Sequence, residues 1–214
     1  MKKIMFNDKY DLTRAVLDGR KTMTRRVIPD NIIEAACRDL SWETVHLELT
    51  RKQMDLLIDK AVLDHSPIKV GEIVALAERY SVLHERLNDA IRKKRKDDSL
   101  EAFHRAGICD TDSGWSNKMF VRAEVMPHQI RITDIRVERL QDISEEDCLR
   151  EGITRKWLVP GRWFYYLPNV PVKSKNDVYL SHDEAFATLI DKLSRKKVWE
   201  KNPLVFVYSF ELVK

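Results

Sequence analysis

The chain is poor in cysteine and has no long apolar run, and each scarcity narrows what it can be. Cys37, Cys109 and Cys148 are odd in number, far apart and without Cys-x-x-Cys spacing. That argues against a disulfide framework or a zinc ribbon and points to a reducing cytoplasm. Nowhere is there a stretch of about 18 apolar residues, the length a membrane-spanning helix needs, so no membrane association is expected. After Met1-Lys2-Lys3 the apolar stretch is only Ile4-Met5-Phe6 before Asn7-Asp8-Lys9, too short for the core of a signal peptide. The histidines His46, His65, His84, His104, His128 and His182 lack metal-ligand spacing, and no Gly-rich phosphate loop occurs, so no metal or cofactor is expected. Net charge is only +4 although 34% of residues are charged. A preference for an anionic partner must therefore come from local clustering.

What is present suits one core. A chain of 214 residues with 43% hydrophobic content predicts a single domain over 1–214 carrying insertions. Lys3 to Phe6 reads as a short strand. Asp8 or Asp11 could then cap a helix whose apolar face is Leu12, Ala15, Val16 and Leu17, ended by Gly19. Residues 31–66 read as an insertion with a helix through Ile32, Ile33, Ala36 and Leu40, a strand at Val45, Leu47 and Leu49, and a helix from Met54 to Leu63. A turn at Pro67 to Glu72 precedes a strand from Ile73 to Ala77 that delivers Glu78, Arg79 and Tyr80 at its end.

Further on, residues 84–115 read as a surface excursion. Their basic run, Arg92 to Lys96, could touch phosphates, though five cations followed by Asp97-Asp98 more simply form a solvated face. Met119 to Val125 and Gln129 to Leu140 alternate like two adjacent strands. Ser144 to Asp147 is a capping-box variant opening a short helix that stops at Gly152, with Glu151 in its last turn. Residues 153–180, with Pro160-Gly161, Pro168 and Pro171, read as a long ordered loop. Ser181 to Glu184 caps a helix through Ala185, Phe186, Leu189, Ile190 and Leu193, and the chain closes on a strand from Leu204 to Leu212. About five or six strands without regular strand-helix alternation predict an α+β fold, best a small closed β-barrel with helical decorations.

Gly19 to Arg26 holds four cations and two threonines and no acid. Arginine suits a bidentate grip on phosphate or a base edge, and threonine adds a neutral donor and acceptor. In an extended segment Lys21 and Met23 share one face, and Thr22, Thr24 and Arg26 the other. The plain alternative is a solvated charged loop.

The string Asp18-Gly19-Arg20-Lys21-Thr22-Met23-Thr24-Arg25-Arg26 resembles the signature of the ASCH family, small PUA-like β-barrels related to RNA-binding modules, in which a helix ends in Gly-x-Lys-Thr-x-Thr-x-Arg. Val70-Gly71-Glu72-Ile73, the stretch Ile135 to Ile143 with Glu151-Gly152-Ile153, and Trp199-x-x-Asn202-Pro203 resemble further segments of that family. Residues 31–66, 84–115 and 154–180 lie outside the resemblance. It implies a pocket for RNA, a nucleobase or a nucleotide-like ligand, formed by the Gly19 to Arg26 loop, with Arg20, Thr22, Arg25 and Arg26 as contacts. Some compact members remove the acetyl group of N4-acetylcytidine with a lysine as proton acceptor, a threonine as nucleophile and a glutamate as proton donor. By motif these fall on Lys21, Thr24 and Glu151. Arg25 beside the nucleophile and the greater length depart from the compact pattern.

Simple electrostatics suits these assignments. Arg20, Arg25 and Arg26 disfavour a protonated Lys21, and the C-terminal end of a helix favours a protonated Glu151. Glu151 could equally be a solvated carboxylate. Glu78 could accept from an exocyclic amine and Tyr80 could stack on a base with Arg79 beside them, or they could be a surface acid and a core ring. Binding without chemistry is the favoured reading, hydrolysis the alternative, and an interaction module built on the inserted helices a third.

Overall fold

The structure, a computed structural model, describes residues 1–43 and 50–213. The expected strand at Val45, Leu47 and Leu49 lies outside the described residues. The strands are β1 (Lys3–Ile4), β2 (Met23–Val27), β3 (Ile73–Leu76), β4 (Gln129–Arg139), β5 (Thr154–Val159), β6 (Arg162–Tyr166) and β7 (Leu204–Val213). The helices are α1 (Leu12–Leu17), α2 (Asp30–Glu43), α3 (Arg51–Asp64), α4 (Tyr80–Arg92), α5 (Glu101–Arg105), α6 (Glu145–Arg150) and α7 (His182–Ser194). The chain is thus α+β, and among the described residues no helix is long and apolar enough to cross a membrane.

Five strands form one mixed sheet in the order β1-β3-β4-β7-β2, with β1 parallel to β3 and every other pair antiparallel. The alternation along β3 explains how one strand serves two cores. Val74 and Leu76 face a large cluster with Phe6, Leu12, Met23, Phe186 and Tyr208, while Ala75 and the following Ala77 face a smaller one with Tyr80, Leu83, Leu100 and Phe103. Residues 84–115 are therefore more than a surface excursion, since α4 and α5 build that second core. Their Arg92 to Lys96 run is exposed, as a solvated face should be.

The expected closed barrel is not formed. β1 and β2 are the two free edges of the sheet, and β1 is only two residues long. Where a ladder would have closed the gap, a side chain crosses it instead: the Arg26 guanidinium donates to the Met5 carbonyl at 2.7 Å.

Two other expectations are corrected. Met119 to Val125 is not a strand but a pair of single 3-10 turns, Lys118–Phe120 and Ala123–Val125. Its alternation is real, since Val121, Ala123 and Val125 are buried. Side chains occupy its backbone groups, however: Lys3 Nζ donates to the carbonyls of Met119 and Val121, and the Tyr80 hydroxyl accepts from the Arg122 amide. In turn, residues 153–180 contain the hairpin β5–β6 where a loop is predicted. Pro160-Gly161 is its turn, flanked by residues of high strand propensity.

Candidate active site

The loop after α1 is fixed from three sides. The Lys21 amide donates to the Ala15 carbonyl at 2.9 Å, the Thr22 amide to Arg150 at 3.0 Å, and the Phe210 amide to the Thr22 carbonyl at 2.9 Å. Gly19, at φ 72°, supplies the left-handed turn that lets the chain leave α1. Asp11 precedes α1 but makes no side-chain cap. On the opposite wall Ser144 caps α6 by accepting from the Asp147 amide, and the helix ends at Glu151. The two segments bring side chains from far apart in sequence to one place.

Lys21 Nζ donates to Glu151 Oε2 at 2.6 Å and to the Glu151 carbonyl at 2.7 Å, and it lies 5.4 Å from the Phe6 ring centre. Both side chains are buried, Lys21 at 2% and Glu151 at 7% exposure. They line a cavity of about 400 Å³ together with Thr24, Arg25, Arg26, Phe6 and the apolar face of α7, a size in the range of small-molecule sites. Thr24 is buried in this wall and its hydroxyl has no hydrogen-bond partner among the described residues. Glu151 Oε1 is also buried and without a hydrogen bond, with Arg25 Nη1 at 3.7 Å.

Burial is the largest influence on Lys21 and pushes its ammonium below the ordinary lysine range; Glu151 opposes this, and Arg26 and Arg25 add to the lowering. The direction agrees with expectation, but desolvation outweighs the neighbouring cations. Arg20 takes no part.

The loop is not an open basic surface. Arg20 is exposed and faces Asp18 and Asp11 at 3.3 and 3.8 Å. Thr22 accepts from Arg150 Nε at 3.3 Å. Arg25 is buried and donates to Asp147 at 2.8 Å and to Glu138 at 3.0 Å, so it is a structural cation of the site wall. Arg26 stands exposed at the cavity rim over the Phe6 ring, and among the described residues no acid pairs with it. A shallower groove that shares Met5, Phe6 and Asn7 with the cavity is lined by Lys9, Ser116, Asn117 and Arg195.

Glu78 and Arg79 belong to a second cavity of about 540 Å³ rather than to this one. Glu78 is buried against His128 Nδ1 at 2.7 Å, and Arg79 faces Asp8 at 3.4 Å. Tyr80 lies in the second core with its hydroxyl engaged, so it has no face for a base. Sequence reasoning missed Phe6, Asp147, Glu138 and the α7 wall. Asp147 was visible only as part of a helix cap, and nothing local marks the others. No group that could hold a metal is found among the described residues.

Gly152 closes the acid side at φ 109°, and a Cβ there would meet Leu12 Cδ2 at 3.1 Å and Lys21 Cδ at 3.9 Å. Gly152→Ala is expected to cost about 1–3 kcal/mol through backbone strain, measured by urea denaturation. An unchanged midpoint would mean that this conformation is not required.

A scan against protein-family models, a comparison with curated proteins and a comparison with solved structures each returned no match.

Proposed function

We propose that this chain is an amidohydrolase for a small N-acylated nucleoside, with N4-acetylcytidine as the test substrate. The observation that carries the reading is the buried contact of 2.6 Å between Lys21 and Glu151 in a cavity that Thr24 also lines. Burial weakens the hold of Lys21 on its proton, and the 2.6 Å contact lets that proton pass to Glu151 Oε2, leaving the lysine neutral. In that form Lys21 takes the Thr24 proton as the hydroxyl oxygen attacks the amide carbonyl carbon. Glu151 gives its proton to the departing cytidine nitrogen as the carbon–nitrogen bond breaks. Water then releases the acyl group from Thr24 as acetate. Arg25 adjoins the nucleophile in sequence, but Asp147 and Glu138 hold its guanidinium.

The reading includes membership of the ASCH family of PUA-like domains and a cytoplasmic location. It is supported by strands at the motif segments and by the convergence of Lys21, Thr24 and Glu151.

The deciding experiment is incubation with N4-acetylcytidine followed by chromatography. Thr24→Val keeps the shape and removes the hydroxyl, and it should lower the rate by about a hundredfold or more with the melting temperature little changed. Full activity in Thr24→Val, or no cytidine from the wild type, ends the hydrolytic reading. The rate should also fall at high pH, with a midpoint below about 10.4, the unperturbed lysine value, because burial lowers the Lys21 ammonium and the pair has a single proton to share, without which none is left for the departing nitrogen. A rate that keeps rising through that value would remove the pair from this role.

A second reading is binding of RNA or a nucleotide without turnover. It is favoured by Arg26 at the rim and by Lys9 and Arg195 in the adjoining groove, none paired with an acid among the described residues. Thermal shifts with cytidine, cytidine 5′-monophosphate and N4-acetylcytidine test it: a shift that Arg26→Ala abolishes, without product, supports binding alone.

A further inference from the structure

The second cavity, of about 540 Å³, lies between α1 and the start of α4 and shares no lining residue with the Lys21 cavity. Backbone pairing fixes two of its side chains. The Leu76 amide donates to the His128 carbonyl at 2.9 Å, so the ladder holds Glu78, just past β3, beside His128, just before β4. Glu78 is buried, and its Oε1 lies 2.7 Å from His128 Nδ1. A carboxylate accepts, so Nδ1 carries the proton of the neutral imidazole and Nε2 presents a lone pair. Nε2 has no hydrogen-bond partner among the described residues.

The charges around this imidazole fall into two groups. Lys118 holds Asp8, and Arg14 holds Asp18 at 2.9 Å, and those pairs are complete. Arg79, Val82 and Arg86, spaced i, i+3 and i+7, line the cavity from one face of α4 and its N-cap. Arg79 lies 3.4 Å from Asp8, and Arg86 lies 3.5 Å from Glu78 and 3.9 Å from Asp97. Neither guanidinium makes a hydrogen bond among the described residues, because Asp8 is already engaged by Lys118 and Thr13, and Glu78 by His128. Charge is thus balanced while two planar forks keep donors unspent. Asp11, facing Arg20 at 3.8 Å without a hydrogen bond, is an unspent acceptor on the same lining. A bare anion would meet these carboxylates as well as the arginines. A ligand of both signs finds donors for its negative end and acceptors for its positive end, and adds no net charge.

We propose that this cavity is a separate site for a free amino acid, its carboxylate taken by the α4 arginines and its ammonium donating to His128 Nε2 and Asp11. Leu17 and Val82 supply an apolar patch for the side chain. The inference does not rest on the hydrolytic reading, since the two cavities have no residue in common.

The test is a thermal shift with each of the common amino acids in turn, followed by calorimetric titration of the strongest. At least one should raise the melting temperature by binding the folded state. The same molecule without its amine, and the same molecule without its carboxylate, should each bind at least about tenfold more weakly. Loss of the amine should also leave the His128 imidazole NMR signals unmoved. Arg79→Gln should weaken binding to a similar degree, and Val82→Trp should fill the cavity without touching a charge. Thr24→Val should leave binding unchanged. Circular dichroism of each variant confirms the fold, and Arg79→Gln decides alone if Val82→Trp misfolds. The proposal is overturned if no amino acid binds, if either truncated analogue binds as tightly as its parent, or if Arg79→Gln binds like the wild type. A loss of binding in Thr24→Val would place the ligand in the Lys21 cavity and overturn it as well.

Discussion

Lys21→Met is expected to destabilise the protein by about 3–5 kcal/mol and to abolish hydrolysis. The methionine fills most of the space, but it leaves the Glu151 carboxylate buried with Arg25, at 3.7 Å, as its one remaining ion-pair partner among the described residues. An uncompensated buried charge costs more than the pair itself contributes, so the loss should be largely recovered in Lys21→Met combined with Glu151→Leu. The double variant should remain inactive, which divides the pair's structural role from its chemical one. Urea denaturation of the single and the double variant at neutral pH reads the loss and its recovery. A single variant as stable as the wild type at neutral pH would mean that Glu151 is not charged against Lys21.

Arg25→Met should be nearly as damaging, at about 3 kcal/mol, the lower end of the range for a broken buried pair. The guanidinium is 1% exposed and serves Asp147 and Glu138 together. Part of their charge stays compensated by Arg136, at 3.3 Å from Asp147 and 2.8 Å from Glu138, which keeps the cost at the low end. Arg25→Lys should recover only part of the loss: Nη2 alone makes both acid contacts, but the shorter lysine gives up the approach of Nη1 to Met23 and Glu151. Thermal melts of the two variants decide this. Equal stability of Arg25→Lys and wild type would show that charge alone matters there.

Local signals were legible in the sequence where local rules act. The cap at Ser144, the helix end at Gly19, the strand at Ile73 and the α7 cap at Ser181 all follow from residues within a turn of one another. The Lys21, Thr24 and Glu151 set was legible only through motif resemblance, and the structure brings those three to one cavity. What could not be read depends on distant partners. The segment from Met119 to Val125 alternates like a strand, yet Lys3 and Tyr80 occupy its backbone groups. The Gly19 to Arg26 loop looks uniformly basic because Asp147, Glu138 and Glu151, which meet its cations, arrive more than a hundred residues later. Tyr80 looked like a stacking platform because nothing near it in sequence announces the core formed by Leu100 and Phe103. The β5–β6 hairpin was legible and missed: Pro160-Gly161 between two aromatic-rich stretches is a turn signal.

The separation of 130 residues between Lys21 and Glu151 has a consequence in time. β2, which carries Thr24 and Arg25, pairs with β7 alone among the described strands, and β7 is the last of those strands to be synthesised. A nascent chain therefore holds the lysine loop long before it holds the acid or the strand that fixes Thr24 in place. Contacts so far apart in sequence form late and slowly. Recovery of the cavity after dilution from denaturant should follow the slowest folding phase, well behind the local helices α3 and α4.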